Sequence, residues 1–511
     1  MKNTLYLFAM LLIWMPVSAQ TGHDLQSEAE KLAADPTFSH ATVAVSARTA
    51  GGKHLIDLNA DKLLIPASNM KLISTGAALY ALGPDYRYET VIGHDGEIID
   101  GTLYGNLYIV GGGDPTIGSK DSIAVDIERT FRQWKAMLDN AGIKRIEGHI
   151  VGDGRWLDGM MEEPTWMMND AGTYYGTGVT GLMFYENMLS FNVSAGKTIG
   201  EMPSITPYYP IAPWIEVRYD CSTGMKGTGD KLYMFTGDLA PVAEIRGTFG
   251  IDRAAKRVDF ANKYPEYTCA AYFHEWLETE GTECSAGAAD FRLEKGWIDT
   301  AFEDSTALKD LKVLGSTLSP RLERIVFETN HASNNLFAET LMRTLGKDFR
   351  GSSCYDSSYV ALDDILKELK VNKGPVQIQD GSGLSRQNYI SPDFICDFLE
   401  AMAGTEVWDE YLESLPSPGF DGSLNYNMSG YPATFRARIK VKSGSMNGVR
   451  CYSGYILPSG FSHGAKEIGS QTDGLPADTI IFSIMTNSCT SPTWKVRPML
   501  DRLMAALAQS N

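Results

Sequence analysis

After its first 20 residues, no stretch of this 511-residue chain reaches the roughly 18 apolar residues that a membrane span needs. Positive charge is in deficit as well: 45 Lys and Arg stand against 63 Asp and Glu, a formal net charge of −18. That balance excludes nucleic acid or an anionic membrane as the main partner, because binding phosphates needs a basic surface. An anionic substrate must therefore meet a local basic site. The cysteines, Cys221, Cys269, Cys284, Cys354, Cys396, Cys451 and Cys489, form no C-x-x-C and no zinc-like spacing. His274-Glu275-Trp276 lacks the second histidine of H-E-x-x-H, so no metal and no cofactor is expected. A Cys269–Cys284 bridge stays open for an exported chain. There is no short-period repeat and no low-complexity tract.

What is present begins with an export signal. Lys2 precedes an apolar run from Leu5 to Trp14, too short to span a bilayer, and Val17-Ser18-Ala19 sets small residues at the cleavage positions. Residues 1–19 read as a cleaved signal peptide, which predicts a soluble, exported mature protein. No Cys follows the run, so a lipid-anchored start is not expected. At 43% hydrophobic and 10% aromatic, the chain buries large cores and is too long for one ordinary domain.

Ala41 to Ala47 alternates as a strand does. Ser68-Asn69-Met70-Lys71 opens a largely apolar helix that Gly83 and Pro84 end. Arg436 to Lys442 has period-two alternation, with Arg436, Arg438, Lys440 and Lys442 on one face. It predicts a strand beside Ser453–Leu457 and Ile480–Met485, with Val496–Leu507 as a terminal helix packed on that sheet or, alternatively, a membrane-surface anchor. Between them, a strand at Gly105–Val110, a helix around Ile123–Leu138 and a strand at His149–Val151 predict a β-α-β unit. Gly111-Gly112-Gly113-Asp114-Pro115 fails the nucleotide-binding G-x-G-x-x-G pattern and reads as a tight turn.

Three motifs carry chemistry. In S-x-x-K, a lysine three residues after a serine lies one helical turn on, on the same face, so its amine reaches the Oγ of Ser68. Lys71 can act as a base once neutral, which needs burial and nearby positive charge to lower a pKa of about 10.4. About two S-x-x-K matches are expected by chance in a chain this long, and a second one, Ser194 to Lys197, lacks helical periodicity. Ser333 and Asn335 form S-x-N at a helix start, where the plain alternative is an N-cap serine. Lys442-Ser443-Gly444 closes a strand, where a lysine and a hydroxyl can face a carboxylate and glycine allows close backbone approach. The alternative there is an exposed basic face. The order of the three motifs, and the elements that carry them, match a serine acyl-transfer site.

With these residues the chain resembles the low-molecular-mass class C penicillin-binding proteins, the D-Ala-D-Ala carboxypeptidases and endopeptidases of peptidase family S13. Leu103–Pro115, Glu186-Asn187, Asp380–Asn388 and Asp421-Gly422-Ser423-Leu424 extend the likeness over nearly the whole mature chain. The resemblance implies Ser68 as the acylated nucleophile, Lys71 as its base and Ser333 as a proton relay to the leaving amine. It implies Asn335 on the substrate's peptide carbonyl, Lys442, Ser443 and Gly444 at the terminal carboxylate, and the amides of Ser68 and Ser445 as the oxyanion hole. Asp153, Met446 and Arg386 would line a pocket for an amino-bearing side chain. One departure stands out: Lys442-Ser443-Gly444 replaces the family's usual K-T-G.

The expected fold is therefore multidomain α/β. A β-lactamase/transpeptidase-like domain, an antiparallel sheet flanked by helices, is split into residues 20–88 and 306–511. An α/β domain (89–195 and 256–305) and a smaller β-rich domain (196–255) are inserted. The expected activity is a periplasmic serine DD-peptidase acting on peptidoglycan stem peptides and acylated by β-lactams. An oligomer stays open. The alternatives are a β-lactamase or esterase on the same scaffold and a decayed cell-wall binding protein. Gly460-Phe461-Ser462-His463-Gly464 matches G-x-S-x-G formally, but a polar, Gly-rich segment follows where that motif needs a helix.

Overall fold

The computed structural model describes residues 24–238, 241–290, 310–420, 422–460 and 475–511. The expected signal peptide, the G-x-S-x-G residues after Gly460, and Asp421 lie outside them.

One five-stranded antiparallel sheet is built from both ends of the chain, in the order Ile439–Met446, Val449–Ile456, Ile480–Asn487, Thr42–Thr49, His54–Leu58. The run at Ile480–Asn487 is buried at every position, because both faces of the sheet are covered. Ile480, Phe482 and Ile484 pack with the first helix, Leu25–Ala33, and the terminal helix, Thr493–Gln509. Ile481 and Met485 pack on the other side with Met70–Leu82, Asn335–Arg350 and Pro392–Ala403. The terminal helix is thus a core element, with Val496, Leu500, Leu503 and Leu507 buried on the sheet. No helix among the described residues is long and apolar enough to cross a membrane.

The strand expected at Arg436–Lys442 is displaced. Ala433–Arg436 is a short helix and the strand runs Ile439–Met446. Arg436 turns back to donate to the carbonyls of Tyr431 and Pro418, which takes it off the strand. Nor is Lys442 part of a solvated basic face: it is fully buried.

A second five-stranded sheet holds the β-α-β unit. Leu107–Val110 pairs parallel with Ile150–Asp153, joined through the helix Ile127–Asn140. Asp126 caps that helix by accepting from the Arg129 amide at 3.2 Å, so it starts at Ile127 and not Ile123. Asp114 accepts from both the amide and the hydroxyl of Thr116, which makes the turn at Gly113–Thr116 a side-chain-locked one.

Strand pairing runs across the inner borders expected from the sequence. Lys312–Leu318 pairs with Glu89–His94, so the second sheet continues past the expected border at 305. Met188–Ser194 and Lys256–Ala261 pair with each other, and Ser204–Tyr209 joins them in a separate three-stranded sheet. That sheet reaches beyond 196–255 at both ends. Pairing between remote segments leaves no local signature, and none of these strands was read from the sequence. All seven cysteines are free, Cys269 and Cys284 included.

Candidate active site

The Ser68 motif enters its helix through a 3-10 turn, Ala67–Asn69, followed by Met70–Leu82. Ala67 holds a left-handed φ of 47°, a strained state for a residue with a Cβ and one that clusters at active sites. Lys71 is fully buried. Its Nζ lies 3.1 Å from Ser68 Oγ, 2.6 Å from Asn335 Oδ1 and 2.8 Å from the Ser382 carbonyl. Two of these three neighbours only accept. A neutral amine gives its two N–H groups to Asn335 and Ser382, which leaves its lone pair aimed at the Ser68 hydroxyl. Burial lowers the Lys71 pKa to about 7, against the opposing pull of Glu339 and Asp380. Of the burial and nearby positive charge anticipated from sequence, burial is what depresses it.

Asn335 opens the helix Asn335–Arg350, and the residue that caps it is Asn334, whose Oδ1 accepts from the Phe337 amide. Ser333 is thus not an N-cap. It sits in a left-handed turn (φ 58°) with its hydroxyl accepting from Lys442 Nζ at 2.9 Å. Lys442 also donates to the Ser443 carbonyl at 3.0 Å. Burial lowers the Lys442 pKa well below its ordinary value, and the charge of Lys71 adds to this.

Ile439–Met446 is the edge strand of its sheet. Val441 donates its amide off that edge to the Pro416 carbonyl, and by strand alternation the amides of Ser443 and Ser445 face the same open side. A Cβ at Gly444 would collide with the Pro66 carbonyl and stand 3.0 Å from the Asn69 amide. Glycine here admits the Ser68 turn, where the sequence suggested room for substrate backbone. The Ser443 hydroxyl lies 3.0 Å from that of Ser423, in the segment that the sequence singled out without a role. Asn69 anchors the turn from below through Ser453 and Ser483, at 2.6 and 2.9 Å.

At the rim, Arg386 donates to the Asn447 carbonyl at 3.4 Å, one residue beyond Met446. Asp153 does not join them. It is fully buried at the end of Ile150–Asp153 and held by the Arg155 side chain at 2.8 Å. A carboxylate within the field of Arg386 is Asp170, whose pKa burial raises while Tyr175 and the Arg386 charge oppose the rise. Tyr175 donates its hydroxyl to Asp170 at 3.2 Å, and its carbonyl accepts from Asn335 Nδ2 at 2.8 Å. Tyr175 acts on Asn335 through its backbone, and no residue-type pattern announces that.

The loop 380–388 closes the floor. Asp380 accepts from the Trp166 indole at 2.9 Å and from the amides of Gly383 and Ser385. Glu339 accepts from the amides of Gly381 and Ser382, and burial, with the Asp380 charge, raises its pKa. Gly383 needs its left-handed φ of 82°, and a Cβ there would strike the Ala67 carbonyl. Ser194 and Lys197 of the second S-x-x-K copy stand at a strand end, clear of this assembly.

Residues 25–507 match the model of the "D-Ala-D-Ala carboxypeptidase 3 (S13) family". A D-alanyl-D-alanine carboxypeptidase of Actinomadura sp. (strain R39) is 26% identical over 452 residues, 85% of this chain and 78% of that protein. A penicillin-sensitive carboxypeptidase A of Dictyostelium discoideum is 25% identical over 475 residues, 89% of this chain and 84% of that one. The crystal structure of penicillin binding protein 4 (dacB) from Haemophilus influenzae superposes with a TM-score of 0.75 at 20% identity, covering 96% of this chain and 99% of that one.

Proposed function

Because the chain belongs to the D-Ala-D-Ala carboxypeptidase 3 (S13) family and is a serine DD-peptidase, we propose that Ser68 is its nucleophile and Lys71 the base that activates it. The observation that carries this reading is the Lys71 amine, fully buried, with two obligate acceptors and Ser68 Oγ at 3.1 Å.

Lys71 takes the Ser68 proton as Oγ attacks the penultimate D-Ala carbonyl carbon. The oxyanion falls between the Ser68 amide, at the start of its helical turn, and the Ser445 amide on the open strand edge. Collapse expels the terminal D-Ala amine, which needs a proton. Ser333 accepts its hydrogen bond from Lys442, so its own hydroxyl hydrogen is free to go to that nitrogen while Lys442 replaces it; the proton that Lys71 took from Ser68 then restores Lys442 and leaves Lys71 neutral again. The Ser443 and Ser423 hydroxyls, backed by Lys442, receive the terminal carboxylate. Water then cleaves the Ser68 ester and regenerates the serine.

Asn335 holds the acyl-side peptide carbonyl, and Asp170, rather than Asp153, meets an amino-bearing side chain beside Arg386 and Met446. A pocket of ≈ 590 Å³ adjoins Tyr175 and is bordered by Tyr174, Tyr233, Phe235, Asp230 and Lys256. That room supports a cross-linked stem peptide as substrate, hence endopeptidase as well as carboxypeptidase work. The proposed domain division follows the sheets, with the catalytic domain resuming after Leu318. Residues 1–19 direct the chain to the periplasm, where peptidoglycan lies.

The test is intact-mass analysis after incubation with benzylpenicillin, beside Ser68→Ala. One antibiotic-sized adduct on the wild type alone is the expected result. No adduct with intact antibiotic would refute acyl transfer, and destroyed antibiotic without an adduct would favour a β-lactamase.

A further inference from the structure

Three consecutive residues with side chains, Tyr185, Glu186 and Asn187, hold left-handed φ values of 52°, 53° and 52°. Such a run is costly for residues with a Cβ and persists only where surrounding contacts over-determine it. Here they do. The Asn187 side chain accepts from the Phe184 amide at 3.2 Å and donates to the Gly178 carbonyl at 2.9 Å, while its carbonyl accepts from the Asn262 amide. Tyr185 donates its amide to the Ile117 carbonyl and stacks edge-on against Tyr209 at 4.8 Å.

The product of that strain is the placement of one carboxylate. Glu186 Oε1 accepts from the Ser119 hydroxyl at 2.7 Å, and Oε2 accepts from Asn334 Nδ2 at 2.8 Å. Asn334 stands between Ser333 and Asn335. Its Oδ1 caps the helix while its Nδ2 reaches Glu186. Serine or aspartate caps a helix as well as asparagine does, but neither offers an N–H to a carboxylate while its oxygen caps. The two bonds together call for asparagine at this position.

We propose that Glu186 is a positioning residue for the reaction: through Asn334 it fixes the Ser333-Asn334-Asn335 turn, and so the reach of Ser333 to Lys442 and of Asn335 to Lys71. The proposal rests on the acyl-transfer reading above and adds a residue that never touches substrate. The charged groups around Glu186 are Lys120 and Asp121, and Lys120 is itself paired with Asp259 at 2.6 Å. Glu186 therefore keeps its hydrogen-bonding role within a balanced local field. The turn of the motif is left-handed at Ser333 and has no glycine. Without an external tether, helix capping alone would fix Asn335 but leave Ser333 free to relax.

The test exchanges donor and acceptor. Asn334→Asp keeps the helix cap but sets a carboxylate against Glu186, whereas Glu186→Gln with Asn334→Asp restores the bond with reversed polarity. In the double variant the new amide N–H points at residue 334 and its oxygen still accepts from Ser119. The readout is saturation kinetics of benzylpenicillin acylation, which separates the acylation rate constant from the preceding binding constant. Asn334→Asp is expected to lower the acylation rate constant roughly tenfold with little change in binding, a coupling typical of directly bonded pairs. The double variant is expected to recover to within about threefold of the wild type. A merely structural contact would move Tm and leave the acylation rate constant of the folded fraction alone.

Wild-type acylation in Asn334→Asp, or a folded double variant no faster than Asn334→Asp, would overturn the proposal. If Asn334→Asp fails to fold, the double variant decides: folded and acylated supports the role, folded and unacylated refutes it. An unacylated wild type would refute the acyl-transfer reading itself, a different result from any of these.

Discussion

The ionisation of Lys71 makes the most demanding prediction. With an ordinary pKa of 10.5, about 0.03% of the amine would be neutral at pH 7; lowered to about 7 by burial, about half of it is neutral. Burial therefore raises the concentration of the base form by about three orders of magnitude, comparable to what general-base catalysis supplies in all. The sign follows from the depressed pKa. The base form is lost as pH falls through 7, so benzylpenicillin acylation should drop about fivefold between pH 7 and pH 6 and about tenfold between pH 6 and pH 5. Above pH 8 it should level off. The folded chain binds fewer protons here than the unfolded chain between pH 7 and 10.5. The stability cost of the buried amine is therefore complete below that window and gone above it. Lys71→Arg keeps the charge and removes the base, since a guanidinium stays protonated. It should lose roughly 10²- to 10⁴-fold in acylation at every pH, with no inflection near 7. Stopped-flow acylation from pH 5 to 9 reads both. A flat wild-type profile across that range, or an active Lys71→Arg variant, would refute the reasoning.

Gly444→Ala should push the edge strand away from the Ser68 turn, costing about 1 to 3 kcal/mol of stability and at least about tenfold in acylation; thermal melts and acylation rates check it. Ser443→Thr adds a methyl at a partly exposed position whose hydroxyl meets Ser423. It should keep acylation within about threefold, a change of under 1 kcal/mol. Asp170→Asn should lower kcat/KM about three- to tenfold for peptides with an amino-bearing side chain, yet leave benzylpenicillin acylation unchanged. Asp153→Asn should instead lower Tm with no such substrate dependence, because it frees a buried partner of Arg155.

Much of the site was legible because its chemistry is local. Ser68 and Lys71 are one helical turn apart, and Lys442, Ser443 and Gly444 follow one another on a strand, so spacing alone aligned them. The terminal helix and the β-α-β unit were legible for the same reason, through their apolar periodicity. Asp153 was misplaced because a carboxylate's sequence neighbourhood does not tell whether it faces a cleft or an arginine two residues on. Arg436 was misread as strand because alternation cannot see a guanidinium turning back to two loop carbonyls.

The sequence by itself determined the reaction type: a serine with an amine in reach, the second hydroxyl and amide, and a lysine-hydroxyl pair for a carboxylate. Tertiary structure alone decided what lowers the pKa of the amine, namely complete burial between Asn335 and the Ser382 carbonyl, more than 250 residues away in each case. It also decided which residues hold the motifs in place, because Tyr175 acts through a carbonyl and Glu186 through a carboxylate that a strained backbone places. Desolvation and long-range hydrogen bonds depend on the distance between segments in space, and the linear order of residues does not carry that distance.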